Sequence, residues 1–171
     1  YLKCFDVFGT TFEFLGFSSS QMRGHSCWML SPDHSVSAES IRLKAGNFAE
    51  IKNVSKFAAR LGLCFTSTVK ATEVESVVEE PDITRNNYVF SDGIGKISKR
   101  VLDRIKASMN LEKEVCAFQI RFGGCKGVIA LDPSLKSDIA VRSSMTKFKS
   151  EDRAIEVCNS ANYNKAFLNR Q

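Results

Sequence analysis

The sequence predicts an α+β fold whose second part, from about Tyr88 onward, is rich in β-strand. Three observations carry this. Two helical periodicities are each preceded by a capping residue, at 53–62 and 98–109. A strict period-two run, Phe118, Ile120 and Phe122 against Gln119 and Arg121, marks a half-buried strand. One strand, one helix and then several strands in succession describe a compact β-rich unit, for which a barrel is one architecture.

Taken in chain order, Thr11–Phe17 and Ser26–Leu30 read as two strands joined by the polar loop of Ser18, Ser19 and Ser20. Ser37 to Ala45 is a short helix with Ser37 as cap and Gly46 as stop. In the next helix Asn53 caps, Val54, Phe57, Ala58 and Leu61 recur at helical spacing, and Gly62 ends it. From Thr66 to Asn87 the chain turns acidic, with a strand expected near Val74–Val78 and Pro81 and Asn86-Asn87 as breakers. The boundary between two parts, 1–87 and 88–171, is placed there. Tyr88–Phe90 is a short strand running into the glycine-rich 91–96, after which Ser98 caps a helix with Val101, Leu102, Ile105 and Met109 on one face. After Phe122, Gly123-Gly124 interrupts and a Val128–Leu131 strand follows. Further strands are expected at Ile139–Arg142 and Ala154–Cys158.

With 171 residues, 43% hydrophobic and 25% charged, the chain has ordinary globular composition, which excludes disordered and low-complexity classes. No apolar run approaches the ~20 residues of a membrane-spanning helix. Neither an initiator Met nor a signal peptide opens the chain, which is therefore expected to be a piece of a longer, intracellular protein. The net charge of +5 is unevenly laid out: residues 71–90 carry five acids and one base, whereas residues 91–126 carry eight bases and four acids. A basic surface of this kind suits phosphates. Six cysteines without a Cys-x-x-Cys pair are expected to be reduced and buried rather than bound to zinc.

Two lysines are bracketed by glycine. Gly93-Ile-Gly-Lys96 fails the Walker A pattern, since Phe90 and Ile97 stand where Gly and Ser or Thr are needed, and fails the dinucleotide fingerprint at Ser98. What remains is a strand, a turn and a helix start whose amides could hold a phosphate beside Lys96, or a tight turn with a solvated lysine. In Gln119-Ile-Arg-Phe-Gly-Gly-Cys-Lys-Gly127 three glycines surround Lys126, either to let a ligand approach or to form a bulge between strands. Arg121 projects on the polar side of its strand. No Asp-x-Asp occurs, Asp92, Asp132 and Asp138 are isolated, and His25 and His34 lie in polar loops, so no catalytic or metal-ligating group is expected in this chain.

Four long runs then resemble one family: Phe12-Glu-Phe-Leu-Gly-Phe-Ser-Ser-Ser-Gln21, Asn53-Val-Ser-Lys-Phe-Ala-Ala-Arg-Leu-Gly62, Tyr88-Val-Phe-Ser-Asp-Gly-Ile-Gly-Lys-Ile-Ser98 and Phe118-Gln-Ile-Arg-Phe-Gly-Gly-Cys-Lys-Gly-Val128. They are similar to the cellular RNA-dependent RNA polymerases of eukaryotic RNA silencing, the plant enzymes above all. Ser144–Phe148 and Phe167–Arg170 continue the similarity in order.

That resemblance implies a template-directed nucleotidyltransferase that copies single-stranded RNA into double-stranded RNA from nucleoside triphosphates. It implies a core of two double-psi β-barrels, with Mg²⁺ held by an Asp-rich loop in the second, expected beyond Gln171. This chain would then be the lead-in segment 1–87 and the first barrel, 88–171, incomplete at its end. Its partners would be RNA, nucleotides and the second barrel of the same polypeptide, in nucleus or cytoplasm, with no membrane. Lys126 resembles the first barrel's active-centre lysine. Lys96 and Arg121 are the next phosphate-contacting candidates, and Arg142 and Lys147 weaker ones for the RNA backbone. Alone, the chain would be inactive. The competing reading is a stand-alone nucleic-acid-binding β-barrel module without catalysis.

Overall fold

A computed structural model describes residues 4–111 and 114–161, and the Phe167–Arg170 motif lies outside them. The chain forms two compact units. Of the described residues, the first comprises those from 4 to 67 with Arg121–Lys126 and Thr146–Arg153; the second comprises those from 68 to 120, Gly127–Met145 and those from 154 to 161.

In the first unit β1 (Cys4–Val7) and β2 (Thr10–Gly16) form a hairpin through Phe8-Gly9, both at positive φ, the conformation that matches strand twist in a two-residue turn. β3 (Trp28–Leu30) adds antiparallel to β2. Between them the expected polar loop is instead a helix, α1 (Ser19–Arg23). Ser18 starts it: its hydroxyl accepts from the Gln21 amide at 3.3 Å, while Gln21 Oε1 accepts from the Ser18 amide at 2.8 Å. That reciprocal pair satisfies donors that a helix start otherwise leaves to water.

α2 (Ala38–Ala45) and α3 (Val54–Leu61) follow where their caps predict. Ser37 Oγ accepts from Ser40 N at 3.1 Å and Asn53 Oδ1 from Lys56 N at 2.9 Å. Of the α3 stripe, Leu61 is buried and Val54 is exposed, so only the far end of the helix enters the core. The core there includes Phe48, whose ring lies 5.8 Å from Phe57 and 4.6 Å from Phe148.

The second unit begins with two strands, β4 (Val69–Glu73) and β5 (Val77–Glu80), where one was expected at 74–78. Val74 is buried between them, which explains the apolar signal at that position without a strand. β6 (Thr84–Arg85) and β7 (Tyr88–Val89) form a separate ribbon. The glycine-rich 93–96 is also a correction. It is no turn into a helix but a strand, β8 (Ile94–Ile97), and only then does Ser98 cap α4 (Lys99–Ser108). β9 (Ala117–Phe122), β10 (Cys125–Leu131), β11 (Ile139–Arg142) and β12 (Ala154–Ser160) complete the chain.

Seven strands make one curled mixed sheet in the order β4-β12-β9-β10-β8-β11-β5. β8 is an interior strand, parallel to the central β10 and antiparallel to β11. Its Gly95 is there for space: a Cβ would lie 2.5 Å from the Ala140 carbonyl oxygen. α4 buries Val101, Leu102 and Ile105, and the sheet buries Ile97, Phe118, Ile120, Ile129, Ile139 and Ile155. β4 and β5, upstream of 87, share this sheet with the strands downstream of it.

Candidate functional site

In the second unit three strand ends converge. Glu80 closes β5, Arg142 closes β11 directly opposite it in parallel register, and Lys96 lies on β8 opposite Ala140. The Glu80 carboxylate divides between two cations: Oε1 takes Lys96 Nζ at 2.9 Å and Oε2 takes Arg142 Nη2 at 3.0 Å. Asp132, at the end of β10, is a second partner for Lys96 at 3.4 Å. The Glu80 hydrogen bond and the Asp132 carboxylate raise the Lys96 pKa against the opposing effect of desolvation. The Ser134 hydroxyl and amide, with Lys96, lower that of Asp132.

Arg142 is more deeply committed. Its residue is 8% exposed. Nε donates to Ile94 O at 3.0 Å, Nη1 to Pro81 O and Nη2 to Glu80. Two cations facing two carboxylates leave this cluster without net charge. The acidic stretch 71–90 is thus the counter-charge of basic residues beyond it, a long-range pairing that sequence order hides.

Sequence reasoning missed a neighbouring hub, Asp82. Oδ1 accepts from Ser144 Oγ at 2.7 Å and Ser91 Oγ at 2.9 Å; Oδ2 accepts from Ser143 Oγ at 2.8 Å and Ser144 N at 2.9 Å. The Ser144 hydroxyl contributes most to holding this carboxyl far below its ordinary value, burial opposing. The available signal was serine in two of the quoted motifs, Ser91 and Ser144. Since the ionised form is the one bonded in the fold, Asp82→Asn should lower the melting temperature at neutral pH. The difference from wild type should shrink as pH falls below about 4. A constant difference in a pH series of melting curves would sink this reading.

Three other predicted residues fall in the first unit. Lys126 is exposed on β10, just past a Gly123-Gly124 turn with both residues at positive φ. Its neighbour Cys125 is buried with Sγ 3.6 Å from Thr146 Oγ1. Lys147 N donates to Gly124 O at 3.0 Å, bringing the 146–148 segment against the turn, and Arg121 lies on the other strand leading into it. The structure therefore gathers Arg121, Lys126 and Lys147 around one hairpin tip and places Lys96 and Arg142 together at a different cluster.

The cysteines form no disulfide, as expected, but the expectation that they are buried holds only for Cys125. Cys4, Cys27, Cys64 and Cys116 are exposed and Cys158 is half-buried, so most of these small side chains sit at the surface and not in the core. Among the described residues no three His, Cys, Asp or Glu side chains group as metal ligands, and the acids near Lys96 and Asp82 already face cations or hydroxyls of the protein itself. These donors do not fit a Mg²⁺ site. No helix among the described residues is long and apolar enough to cross a membrane.

A curled, β-rich sheet carrying lysine and arginine clusters at its strand ends is the class of scaffold seen here. The chain belongs to the RNA-dependent RNA polymerase family, whose model matches residues 2–171. It is 44% identical over 167 residues to the probable RNA-dependent RNA polymerase 1 of Oryza sativa subsp. japonica, covering 95% of this chain and 23% of that one. It is 43% identical over 175 residues to RNA-dependent RNA polymerase 6 of Arabidopsis thaliana, covering 98% and 14%. In fold it is similar to the RNA-dependent RNA polymerase QDE-1 from Thielavia terrestris, with TM-score 0.57 and 24% identity over 63% of this chain and 13% of that one. The chain thus spans less than a quarter of the length of these relatives.

Proposed function

We propose that this chain works as part of an RNA-directed RNA polymerase that copies single-stranded RNA into double-stranded RNA for gene silencing, inside the cell in nucleus or cytoplasm. The observation that carries the proposal is the family match along the whole chain, at more than 40% identity to plant polymerases. In this reading the curled sheet belongs to the first of two double-psi β-barrels. Mg²⁺, held by acids of the second barrel, supplies charge stabilisation for phosphoryl transfer.

What this chain contributes is positioning. Phosphoryl transfer depends mainly on holding phosphates and compensating their charge. Lys126 is suited to this, because its exposed ammonium sits on a strand immediately after a stiff glycine turn. Arg121 and Lys147 flank it as contacts for RNA or nucleotide phosphate. Lys96, held by Glu80 and Asp132, would have to leave these carboxylates to meet a phosphate and so ranks after Lys126, and Arg142 acts by holding the strand ends.

The test is Lys126→Ala in the polymerase that contains this chain. RNA synthesis should fall by at least about tenfold with the melting temperature unchanged, as for loss of a charged phosphate contact on an exposed side chain. Activity within twofold of wild type would remove Lys126 from the active centre.

A further inference from the structure

The ribbon of β6 and β7 is built like a rigid finger. Its turn, Asn86-Asn87, has φ of 50° and 63°, the paired positive values of a tight hairpin. Its base is closed by Phe90 N donating to Ile83 O at 2.8 Å, and Ile83 N donates to Ser91 Oγ at 2.8 Å. Ser91 in turn is bound to Asp82, which also holds Ser143 and Ser144.

Arg85 stands opposite Tyr88, and Ile83 opposite Phe90. Strand alternation therefore puts all four on one face. Ile83 is 59%, Tyr88 71% and Phe90 67% exposed. A two-stranded ribbon has no interior in which to bury such groups, so their presence on a braced scaffold marks a contact surface.

The chemistry of that face selects its occupant. Residues 83–90 include one cation and no acid. Tyr88 and Phe90, two residues apart, are separated by about 7 Å along the strand, twice the ~3.4 Å spacing of stacked bases. That leaves room for a base against each ring or one between them, with Arg85, the register partner of Tyr88, as the cation for the adjoining phosphate. We propose that this ribbon is a stacking prong for single-stranded RNA, a role that rests on reading the chain as part of an RNA polymerase.

The experiment titrates the full chain and its variants with a ten-nucleotide single-stranded RNA containing 2-aminopurine, whose fluorescence is quenched by stacking. Wild type should bind with a quench. Tyr88→Ala should lose the quench and bind about tenfold more weakly, with salt dependence unchanged. Tyr88→Phe should behave as wild type, because stacking needs the ring and not the hydroxyl. Lys126→Ala should keep the quench and reduce the log–log salt slope by about 0.7, one phosphate contact.

Binding and a normal Lys126→Ala effect together with an unaltered Tyr88→Ala would overturn the prong alone and leave the face to a protein partner. Wild-type chain that does not bind the RNA would overturn the prong and the RNA reading together.

Discussion

Replacing Asp138 with alanine should lower stability by about 3 kcal/mol, measured by denaturant unfolding. The carboxylate is fully buried at the start of β11. Oδ2 accepts from the amides of Glu75 at 2.9 Å and Ser76 at 3.2 Å, and Oδ1 takes Arg100 Nη2 from α4. One side chain thereby ties the β4–β5 turn and α4 to the sheet. Alanine leaves two amide donors facing a dry site. Arg100, 64% exposed at its side chain, can turn into water, which keeps the loss below that of a fully buried pair.

The same residue sets a pH dependence. Burial by itself pushes the Asp138 carboxyl up, but the Glu75 and Ser76 amides and Arg100 outweigh it and leave the pKa below its ordinary 3.8. A carboxyl depressed in the fold contributes stability that is complete above its unfolded value. It is lost as pH falls through the folded one. Wild type should therefore lose stability below about pH 4 more steeply than Asp138→Ala. Parallel pH profiles for the two proteins would refute the assignment.

What the sequence makes legible is local chemistry. Ser37, Asn53 and Ser98 announce three of the helices because a cap and the periodic stripe after it are neighbours in the chain. Phe118, Ile120 and Phe122 announce β9 because alternation needs only one strand. The family was legible for a related reason: its motifs are contiguous and in order.

β8 was not legible, because glycine in Gly93-Ile-Gly-Lys96 signals a turn equally well. Its actual reason is the Ala140 carbonyl, 45 residues downstream. Likewise the partners of Glu80 and Asp82 lie up to 62 residues away. An acidic run next to a basic one looks like a linker until the strands that pair them are known. α1 was hidden for the opposite reason: its cap, Ser18, sits among serines that suit a loop just as well.

Gly124→Ala should cost about 3 kcal/mol, the sum of a strained backbone and a clash. Gly124 has φ of +80°, and a Cβ there would lie 2.0 Å from the Phe148 carbonyl oxygen. The backbone cannot retreat easily. Gly124 O accepts from Lys147 N, and Cys125 bridges to Thr146, so the turn and the 146–148 segment are locked together. Relief of the clash must lift the hairpin tip away from that segment and with it Lys126, two residues on. In the polymerase, RNA synthesis should consequently fall even at temperatures where the variant stays folded.

Gly93→Ala provides the contrast, since Gly93 has φ of +72° but nothing within 4 Å of its Cβ position. That variant should lose only about 1 kcal/mol, the strain alone. The difference between the two, about 2 kcal/mol, isolates the contact with Phe148. Equal losses would mean that backbone conformation alone demands glycine at 124, and that the 146–148 segment does not hold the lysine-bearing tip in place.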